Sequence, residues 1–541
     1  MSDNAKCKVI LYLNRLERDN QMAVLLEDNR DKAEYGDFQT PFELAQRVCR
    51  WLQAKGIHPD ILVEPTFGQG HFLLAALETF PSIKHVYGVE IHEPYFDETQ
   101  RKIEKFQNDD KRRIHLFCDD VFRFSFSDIA KQHAEQFILV MGNPPWVTNS
   151  WLGSKDSENV PNKLNIKNVR GIEALTGKGN FDIGESVTLS MLKAFAESKG
   201  CFAFLIKNSV VKNIVHAQRQ FRFPIACMER VGIDSQKEFN ASVDASLFFT
   251  KFQEKPGLEC SVADSFEEPV KSRFGWYGEK FVANIEQYEQ TSFFDGQSSE
   301  VWRQGIKHDC SKVMELAFVS GVFRNGFGET VDIENDLVFP LLKSSDLKEP
   351  IIETTRKFVL VPQNFVGQET GFIQRDYLKT ATYLDKHREL FERRKSSIYR
   401  GKPPFSIFGI GDYSFKPYKI AISGLYKQTL FSLVPPHHGK PVMFDDTCYL
   451  LGFDEPAEAV CVHYLLNHNK MQDLLNSLVF WEGKRVITKE ILMRLDYGKL
   501  LSEIPEINIL SNSNYHKIAQ KQAVEEKFDI LRTNFSRRKK P

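Results

Sequence analysis

The chain has 541 residues, several times the length of a typical domain, so at least two domains are expected. Apolar residues make up 42% and charged residues 26%, a globular balance that excludes disordered, collagen-like and low-complexity classes. The 71 Lys and Arg residues nearly balance the 72 Asp and Glu residues, which excludes a wholesale polyanion binder. Any contact with nucleic acid must therefore come from local patches.

Cysteine usage and hydropathy predict a soluble, cytoplasmic protein. The nine cysteines include no CxxC pair, which favours reduced thiols and argues against a zinc site. The sequence contains no run of 18 apolar residues, and its first ten residues lack the apolar core of a signal peptide. We therefore expect neither a membrane partner nor a bound metal.

The chain divides by texture into five parts. Residues 1–35 form a polar extension, and 36–255 alternate short apolar strands with amphipathic helical segments, as in βαβ units. The polar stretch 256–300 is predicted to be a junction. Residues 301–510 are predicted to form an α+β domain, and 511–541 a helix with a basic tail. The expected fold class is α/β, a doubly wound parallel sheet followed by an α+β domain. The strands are predicted at 61–64, 85–90, 114–117, 137–141, 201–206 and 245–249, and the helices near 42–55, 70–80, 95–107 and 185–199.

Doubly wound sheets bind ligands beyond the carboxyl ends of their strands, so the loops there are the candidates for chemistry. The first such loop is Glu64–Phe72, with Gly68 and Gly70 one residue apart. Paired glycines let the backbone turn tightly near a ligand, and Glu64 can meet a cation or an amino group. Plain strand-to-helix packing is the alternative. The pattern matches neither GxGxxG nor a P-loop.

The next two strands also end in acidic residues. Glu90 closes the second strand, where a carboxylate can accept hydrogen bonds from both ribose hydroxyls, although a solvated strand end is equally compatible. Asp119 and Asp120 follow the third strand, and a carboxylate there can accept the amine of an adenine ring while Val121 packs on its face. Either aspartate could instead cap the following element.

The fourth loop, Asn143-Pro144-Pro145-Trp146, is the most specific signal. Two prolines remove two backbone donors and stiffen the chain, so carbonyl groups point outward without partners. The Asn143 amide oxygen and the Pro144 carbonyl can together accept both hydrogens of a planar amine. Trp146 offers a flat face for stacking a nucleobase. A plain Pro-Pro turn is improbable beside three adenosine-type sites.

These loops, in this order, resemble the γ-class N6-adenine DNA methyltransferases of restriction–modification systems, the TaqI-like group. In that class a segment leading into the first helix comes before the glycine loop, and Phe38–Pro41 is similar to it. The resemblance covers about 35–253 strongly, with further landmarks at 180–183, 207–209 and 239–240, and extends weakly to 409–419. One departure is Trp146, where the class most often has Tyr or Phe.

The resemblance implies a Rossmann-like S-adenosylmethionine-dependent methyltransferase domain followed by a target-recognition domain. It implies transfer of a methyl group to N6 of an adenine flipped out of duplex DNA. It assigns the clamp on the target amine to Asn143, Pro144, Pro145 and Trp146. It assigns the cofactor site to Thr40, Pro41, Glu64, Phe67, Gly68, Gly70, Glu90, Ile91, Asp120 and Val121; alignment on Val121 favours Asp120 over Asp119.

Contacts with DNA are expected from local charge. The stretch 387–402 has six Lys or Arg residues against two Glu, although a solvated helix face is the alternative. The residues singled out there are Arg393, Arg394, Lys395 and Arg400. Phe239 is a candidate for the second face of the flipped base, with an ordinary core position as the alternative. Lys484-Arg485 and the polar segment 147–180 are further candidates.

Three other functions compete with this one. A methyltransferase of the same type could act on RNA or on a protein glutamine, although the nearly 290 residues after the catalytic domain favour a reader of duplex DNA. A methyltransferase fused to a nuclease is disfavoured because the first 35 residues are too few for a nuclease domain. A non-catalytic specificity subunit is disfavoured because it does not need all four loops. Besides duplex DNA, the resemblance allows a separately encoded restriction endonuclease as a partner.

Overall fold

The computed structural model describes residues 38–107, 112–146, 182–241, 243–483, 485–508 and 514–538. The chain forms two compact units, with the division between Phe281 and Val282. The expected N-terminal extension and the polar segment 147–180 lie outside the described residues.

The first unit is built on one ten-stranded sheet with the strand order β10-β9-β8-β6-β7-β5-β4-β1-β2-β3. Strands β3, β2, β1, β4 and β5 are parallel neighbours, and β7 runs antiparallel to both β5 and β6. The strands are β1 Ile61–Glu64, β2 His85–Glu90, β3 Arg113–Cys118, β4 Ile138–Gly142, β5 Gly200–Lys207, β6 Ile225–Ile233, β7 Ala245–Phe252, β8 Glu259–Ala263, β9 Ser272–Tyr277 and β10 Lys280–Val282. The strand order reverses between β1 and β4, which is the switch point where such sheets bind ligands.

Seven helices occur in the described part of this unit. They are α1 Phe42–Ala54, α2 His71–Thr79, α3 Glu93–Gln107, α4 Phe126–Gln132, α5 Ile183–Phe195, α6 Asn208–Phe221 and α7 Ser235–Phe239. In α1 the apolar residues Leu44, Val48 and Leu52 recur every four positions and are fully buried, as expected for an amphipathic helix. Strands β1 and β4 are buried at every position, because parallel strands are covered on both faces. The predicted α/β doubly wound fold is confirmed.

The junction expected at 256–300 differs from the structure, because strands β8, β9 and β10 within it extend the first sheet. Strand β8 buries Cys260 and Val262, whereas Glu259, Ser261 and Ala263 are more exposed. Such half-exposed strands near a sheet edge contain many polar residues, so their sequence looks like a linker. The structural division at 281 therefore replaces the sequence-based boundary at 255.

The second unit is mixed α+β, as expected. It holds a four-stranded sheet of order β11-β20-β17-β18 and a six-stranded sheet of order β14-β13-β12-β16-β15-β19. Its strands are β11 Arg303–Gln304, β12 Glu315–Val319, β13 Val322–Arg324, β14 Thr330–Val331, β15 Val338–Leu342, β16 Lys357–Leu360, β17 Tyr418–Ser423, β18 Ser432–Val434, β19 Met443–Phe444 and β20 Cys448–Phe453. Its helices are α8 Ile285–Thr291, α9 Ser311–Met314, α10 Phe372–Asp376, α11 Leu378–Lys386, α12 Arg388–Glu392, α13 Asp412–Phe415, α14 Pro456–Leu466, α15 Asn469–Leu478, α16 Lys489–Leu492, α17 Tyr497–Leu501 and α18 Lys521–Arg538.

A histidine cluster lies on one face of β2 and β3. The rings of His85 and His115 lie 6.2 Å apart, and the His133 ring lies 4.9 Å from His85. The Tyr87 hydroxyl and His133 Nε2 form a hydrogen bond of 2.8 Å. Burial lowers the pKa of His85 and of His115, and neighbouring histidines and Arg113 lower both further. The folded state therefore favours the neutral imidazoles.

This cluster makes stability depend on pH. Because the pKa of His85 and of His115 is lowered on folding from the usual 6.5, the unfolded chain binds more protons as the pH falls below that value. Stability is therefore full above pH 6.5 and is lost as the pH falls. We expect the double variant His85→Phe/His115→Phe to lose less thermal stability between pH 7 and pH 5 than the wild type. This prediction is checked by measuring thermal midpoints across this pH range, with the exposed His58→Phe as control. An equal change of midpoint with pH in all three proteins would contradict the role of His85 and His115.

Candidate active site

A cavity of about 390 Å³ opens at the carboxyl ends of β1, β2 and β4. It lies at the switch point of the sheet, where the sequence placed the chemistry. The lining includes nine of the predicted site residues: Thr40, Glu64, Phe67, Gly68, Glu90, Ile91, Asn143, Pro144 and Pro145. The other lining residues are Phe38, Gln39, Thr66, His71, Phe72, His92 and Tyr95.

The loop between β1 and α2 requires both of its glycines. Gly68 and Gly70 have φ of +52° and +73°, in the left-handed region. A Cβ on Gly68 would lie 2.4 Å from Gln39 Oε1, and a Cβ on Gly70 would lie 2.4 Å from Thr99 Cγ2. The loop is held at these same contacts, since Gln69 N donates to Gln39 Oε1 at 2.9 Å and Thr99 Oγ1 donates to the Gly68 carbonyl at 3.1 Å. The loop therefore reaches the cavity in a fixed conformation.

Glu64 is a buried carboxyl with an unpartnered oxygen. Its side chain is 1% exposed, and its Oε2 has no hydrogen-bond partner among the described residues. Burial raises its pKa well above the usual range; the Leu73 N–H opposes this, and the nearby Glu90 raises it further. A cation in the cavity would restore the charged carboxylate and satisfy Oε2. The group therefore fits the ammonium of the methionine part of S-adenosylmethionine.

Glu90 lies at the rim of the same cavity. Its Oε2 accepts from Gly68 N and its Oε1 from His92 N, each at 2.8 Å. These two bonds orient the carboxylate. Its neighbour Ile91 lines the cavity and is 61% exposed, which suits an apolar contact with a planar ring.

The structure places the predicted adenine site of the cofactor outside this cavity lining. Asp120 Oδ1 accepts from Phe122 N at 2.9 Å, and Asp119 Oδ1 accepts from Asp120 N at 2.7 Å. Arg123 lies 3.6 Å from the other Asp120 oxygen. Both aspartates thus accept main-chain N–H groups of the turn after β3, and Val121 beside them is half-buried. Pro41 and Gly70 also lie next to the cavity rather than in its lining.

The amide of Asn143 has a defined orientation. Its Nδ2 donates to the Phe38 carbonyl at 2.8 Å, while its Oδ1 is buried without a partner in the described part of the chain. Pro144 and Pro145 continue the cavity wall. A Cβ on Gly184 would lie 3.3 Å from the Pro145 carbonyl oxygen, so the start of α5 packs closely on this loop. The loop therefore presents an unpartnered acceptor to the cavity.

Trp146 is packed inside the unit. It is 6% exposed, and its Nε1 donates to the Leu205 carbonyl at 3.3 Å. Its ring lies 5.3 Å from Phe38 and 5.0 Å, edge to face, from Phe239. A base between Trp146 and Phe239 would need these touching rings to move apart, because a stacked base occupies the space between two parallel rings.

Among the lining residues that sequence reasoning did not assign to the site, two have contacts that bear on its chemistry. Thr66 lines the cavity, and its Oγ1 is buried without a partner in the described ranges. The sequence signal that could have identified Thr66 is its position between Glu64 and Gly68. Phe38 contacts both Asn143 and Trp146, which no local pattern predicts. The landmarks Asp182 and Lys207 form an ion pair at 2.7 Å beside the Asn-Pro-Pro loop; residues 180 and 181 lie outside the description.

The basic stretch 387–402 divides into exposed and internal charges. Arg393, Lys395 and Arg400 are exposed. The Arg394 guanidinium instead donates to the carbonyls of Phe391, His308 and Ser406 and lies 3.6 Å above the Tyr399 ring. Arg394 therefore links three separate segments of the second unit by hydrogen bonds. Lys484 lies outside the described residues, and Arg485 bonds to Asp446.

Neither a metal centre nor a membrane span is found among the described residues. No group of three or more His, Cys, Asp or Glu side chains there could hold a metal ion. No helix in the described ranges is long and apolar enough to cross a membrane.

Comparison with known proteins identifies a relative across nearly the whole chain. The type II methyltransferase M.NspV of Nostoc sp. is 42% identical over 477 residues, which are 88% of this chain and 98% of the relative. No protein-family model matches.

Two solved structures show weaker likeness. The type IIL restriction-modification enzyme MmeI in complex with DNA has a TM-score of 0.48 and 11% identity, over 92% of this chain and 73% of that one. A type I restriction-modification methyltransferase subunit from Streptococcus thermophilus has a TM-score of 0.32 and 14% identity, over 47% and 52% of the two chains. Both TM-scores lie below 0.5, so neither likeness assigns a function to this chain.

The sheet, the cavity and the relative together define an S-adenosylmethionine-dependent methyltransferase of the restriction–modification type, as the sequence predicted. The chain belongs to the type II methyltransferases, a family of DNA methyltransferases.

The first variant to test this site is Glu90→Ala. It removes the carboxylate expected to accept from the cofactor diol and also releases Gly68 N, so we expect affinity for S-adenosylmethionine to fall by roughly 1–3 kcal/mol. Titration calorimetry measures the change, and Glu93→Ala, at the first residue of α3, is the matched control. Unchanged affinity in Glu90→Ala would remove Glu90 from the cofactor site.

Proposed function

We propose that this protein is a γ-class enzyme that transfers a methyl group to N6 of an adenine flipped out of duplex DNA. The observation that carries the proposal is the buried, unpartnered Oδ1 of Asn143 in the wall of the cavity. A buried acceptor without a partner recognises an N–H donor, and an exocyclic amine group supplies two such donors. The neighbouring Pro144 carbonyl is the second acceptor that the proposal requires.

The residues act by positioning and electrostatics. The amine of adenine is a poor nucleophile because its lone pair is delocalised into the ring. Accepting both N–H groups at Asn143 and Pro144 favours a tetrahedral nitrogen and stabilises the positive charge that develops on it. S-adenosylmethionine supplies, when bound, a methyl group on a sulfonium centre. Glu64 holds the ammonium of that molecule and Glu90 its ribose, which sets the donor against the clamp.

Flipping is part of the proposal because N6 of a paired adenine is not accessible to such a clamp. Pro144 and Pro145 line the cavity beside Asn143 and provide apolar surface for the extruded base. The rings of Phe38, Trp146 and Phe239 pack against one another next to this surface. The proposed role of the aromatic cluster is therefore to shape the pocket, and Trp146 is its most deeply buried member.

The second unit is proposed as the target-recognition domain. Its exposed Arg393, Lys395 and Arg400 are suited to phosphate contacts, which give affinity without sequence preference. Duplex DNA is thus the proposed partner, with a separately encoded restriction endonuclease acting at the same sequence.

The deciding experiment expresses the chain in a host that lacks adenine methylation. Digested genomic DNA is analysed by nucleoside mass spectrometry, and sequencing locates the modified bases. N6-methyladenine in one recurring motif is the expected result. N4-methylcytosine instead would contradict the adenine assignment, and methylated RNA or protein with unmodified DNA would favour the rival substrates.

Asn143→Ala separates the clamp from the cofactor site. Removing the acceptor leaves the target amine without its partner, so methyl transfer should fall below detection while affinity for S-adenosylmethionine stays within a few-fold. Methyl transfer is measured with labelled cofactor and cofactor binding by calorimetry on one preparation. Loss of both together would contradict the separation of the two pockets.

The triple variant Arg393→Ala/Lys395→Ala/Arg400→Ala tests the DNA surface. We expect weaker duplex binding at every sequence, and a salt slope smaller by about 0.9 for each phosphate that is no longer neutralised. Anisotropy titrations at several salt concentrations measure both. The matched control removes three exposed charges from the first unit, Arg101, Lys131 and Lys251. Equal slopes for the two triple variants would show that the 387–402 stretch does not bind phosphate.

A further inference from the structure

Three consecutive residues connect the separate loops of the site. The Phe38 carbonyl accepts from Asn143 Nδ2 at 2.8 Å, and Gln39 Oε1 accepts from Gln69 N at 2.9 Å. The Thr40 carbonyl accepts from His71 Nδ1 at 2.6 Å. The segment therefore links the Asn-Pro-Pro loop after β4 to the glycine loop after β1.

The bond from Asn143 to Phe38 decides which end of the amide faces the cavity. A carbonyl oxygen accepts from the amide nitrogen and cannot accept from the amide oxygen. With Nδ2 held there, Oδ1 is the atom left buried and unpartnered. The opposite orientation would place two oxygens against each other and turn N–H donors toward a donor amine, so it would not bind the substrate.

The Phe38 ring makes a second contact with the same loop. It lies 5.3 Å from the Trp146 ring and 6.3 Å from the Phe239 ring, and it lines the cavity. Trp146 is anchored on its other side by the bond from Nε1 to the Leu205 carbonyl. Phe38 thus touches both ends of the segment Asn143–Trp146, one through its main chain and the other through its ring.

We propose that Phe38 is a positioning residue for methyl transfer, which fixes the Asn143 amide through its carbonyl and holds Trp146 through its ring. This inference rests on the proposed function and adds a residue outside the clamp itself. Phe38 acts through Asn143 and Trp146, so its loss should affect kcat far more than the binding of either substrate.

The ring is tested with Phe38→Ala, Phe38→Tyr and a matched control. Phe266→Ala is that control, because Phe266 is also a partly buried phenylalanine packed on a tryptophan, Trp51, at 6.1 Å. We expect Phe38→Ala to lower kcat by about tenfold or more with KM for cofactor and duplex within about threefold. Phe38→Tyr should recover most of the rate and Phe266→Ala should keep it. A wild-type rate in Phe38→Ala would overturn the role of the ring.

The carbonyl is tested through its partner with Asn143→Asp. A carboxylate would place an oxygen against the Phe38 carbonyl, whereas the protonated acid can donate to Phe38 and keep an acceptor toward the amine. We therefore expect a low rate that rises up to about tenfold per pH unit as the pH falls, relative to the wild-type profile. Dividing by that profile removes the contributions that other ionisable groups lining the same cavity make in both proteins. A high rate that does not change with pH would overturn the role of the bond.

These outcomes distinguish the inference from the proposed function. Wild-type protein that forms no N6-methyladenine contradicts the proposed function, whatever the variants do. Wild-type methylation together with unimpaired Phe38→Ala and pH-independent, active Asn143→Asp contradicts the inference alone.

Discussion

The parallel register of β2, β1 and β4 is the constraint on which the site depends. Glu64 pairs with Gly88 on one side, and Val63 pairs with Val140 on the other. Glu90 and Asn143 therefore each lie two residues beyond the level of Glu64, on neighbouring strands. At a rise of about 3.3 Å per residue, both lie roughly 7 Å beyond the level of the buried carboxyl along the strands, so the three side chains surround a common space. A shift of one residue in either pair would turn these side chains to the opposite face.

That space is lined by polar atoms whose hydrogen bonds the protein does not complete. Glu64 Oε2, Thr66 Oγ1 and Asn143 Oδ1 are each buried without a partner in the described ranges. A buried unsatisfied group costs about 1–3 kcal/mol, so three of them lower the stability of the ligand-free fold. Ligands that supply the missing partners recover this energy as affinity.

The parts of the fold that sequence reasoning predicted are those with an unbroken pattern. The parallel strands β1, β4 and β5 contain continuous apolar runs, and the residues that end the parallel strands are visible in the sequence. Strand β6 was missed because a bulge between Ala226 and Glu229, with Cys227 at φ +52°, breaks its alternation. The roles of Arg394 and Trp146 were unpredictable for another reason. Whether a guanidinium or an indole faces solvent depends on distant carbonyls, such as those of His308 and Leu205, that no local pattern specifies.

The aromatic cluster indicates how a flipped base would be accommodated energetically. Extruding a base costs a few kcal/mol, and placing it between Trp146 and Phe239 would add about 0.5–1.5 kcal/mol for separating those rings. Stacking the base on an aromatic surface returns about 1–3 kcal/mol, which offsets part of this cost. The hydrogen bonds at Asn143 add a requirement for an N–H donor. Because a single unpartnered donor or acceptor there costs about as much as the stacking returns, the orientation of this amide favours bases that carry an exocyclic amine.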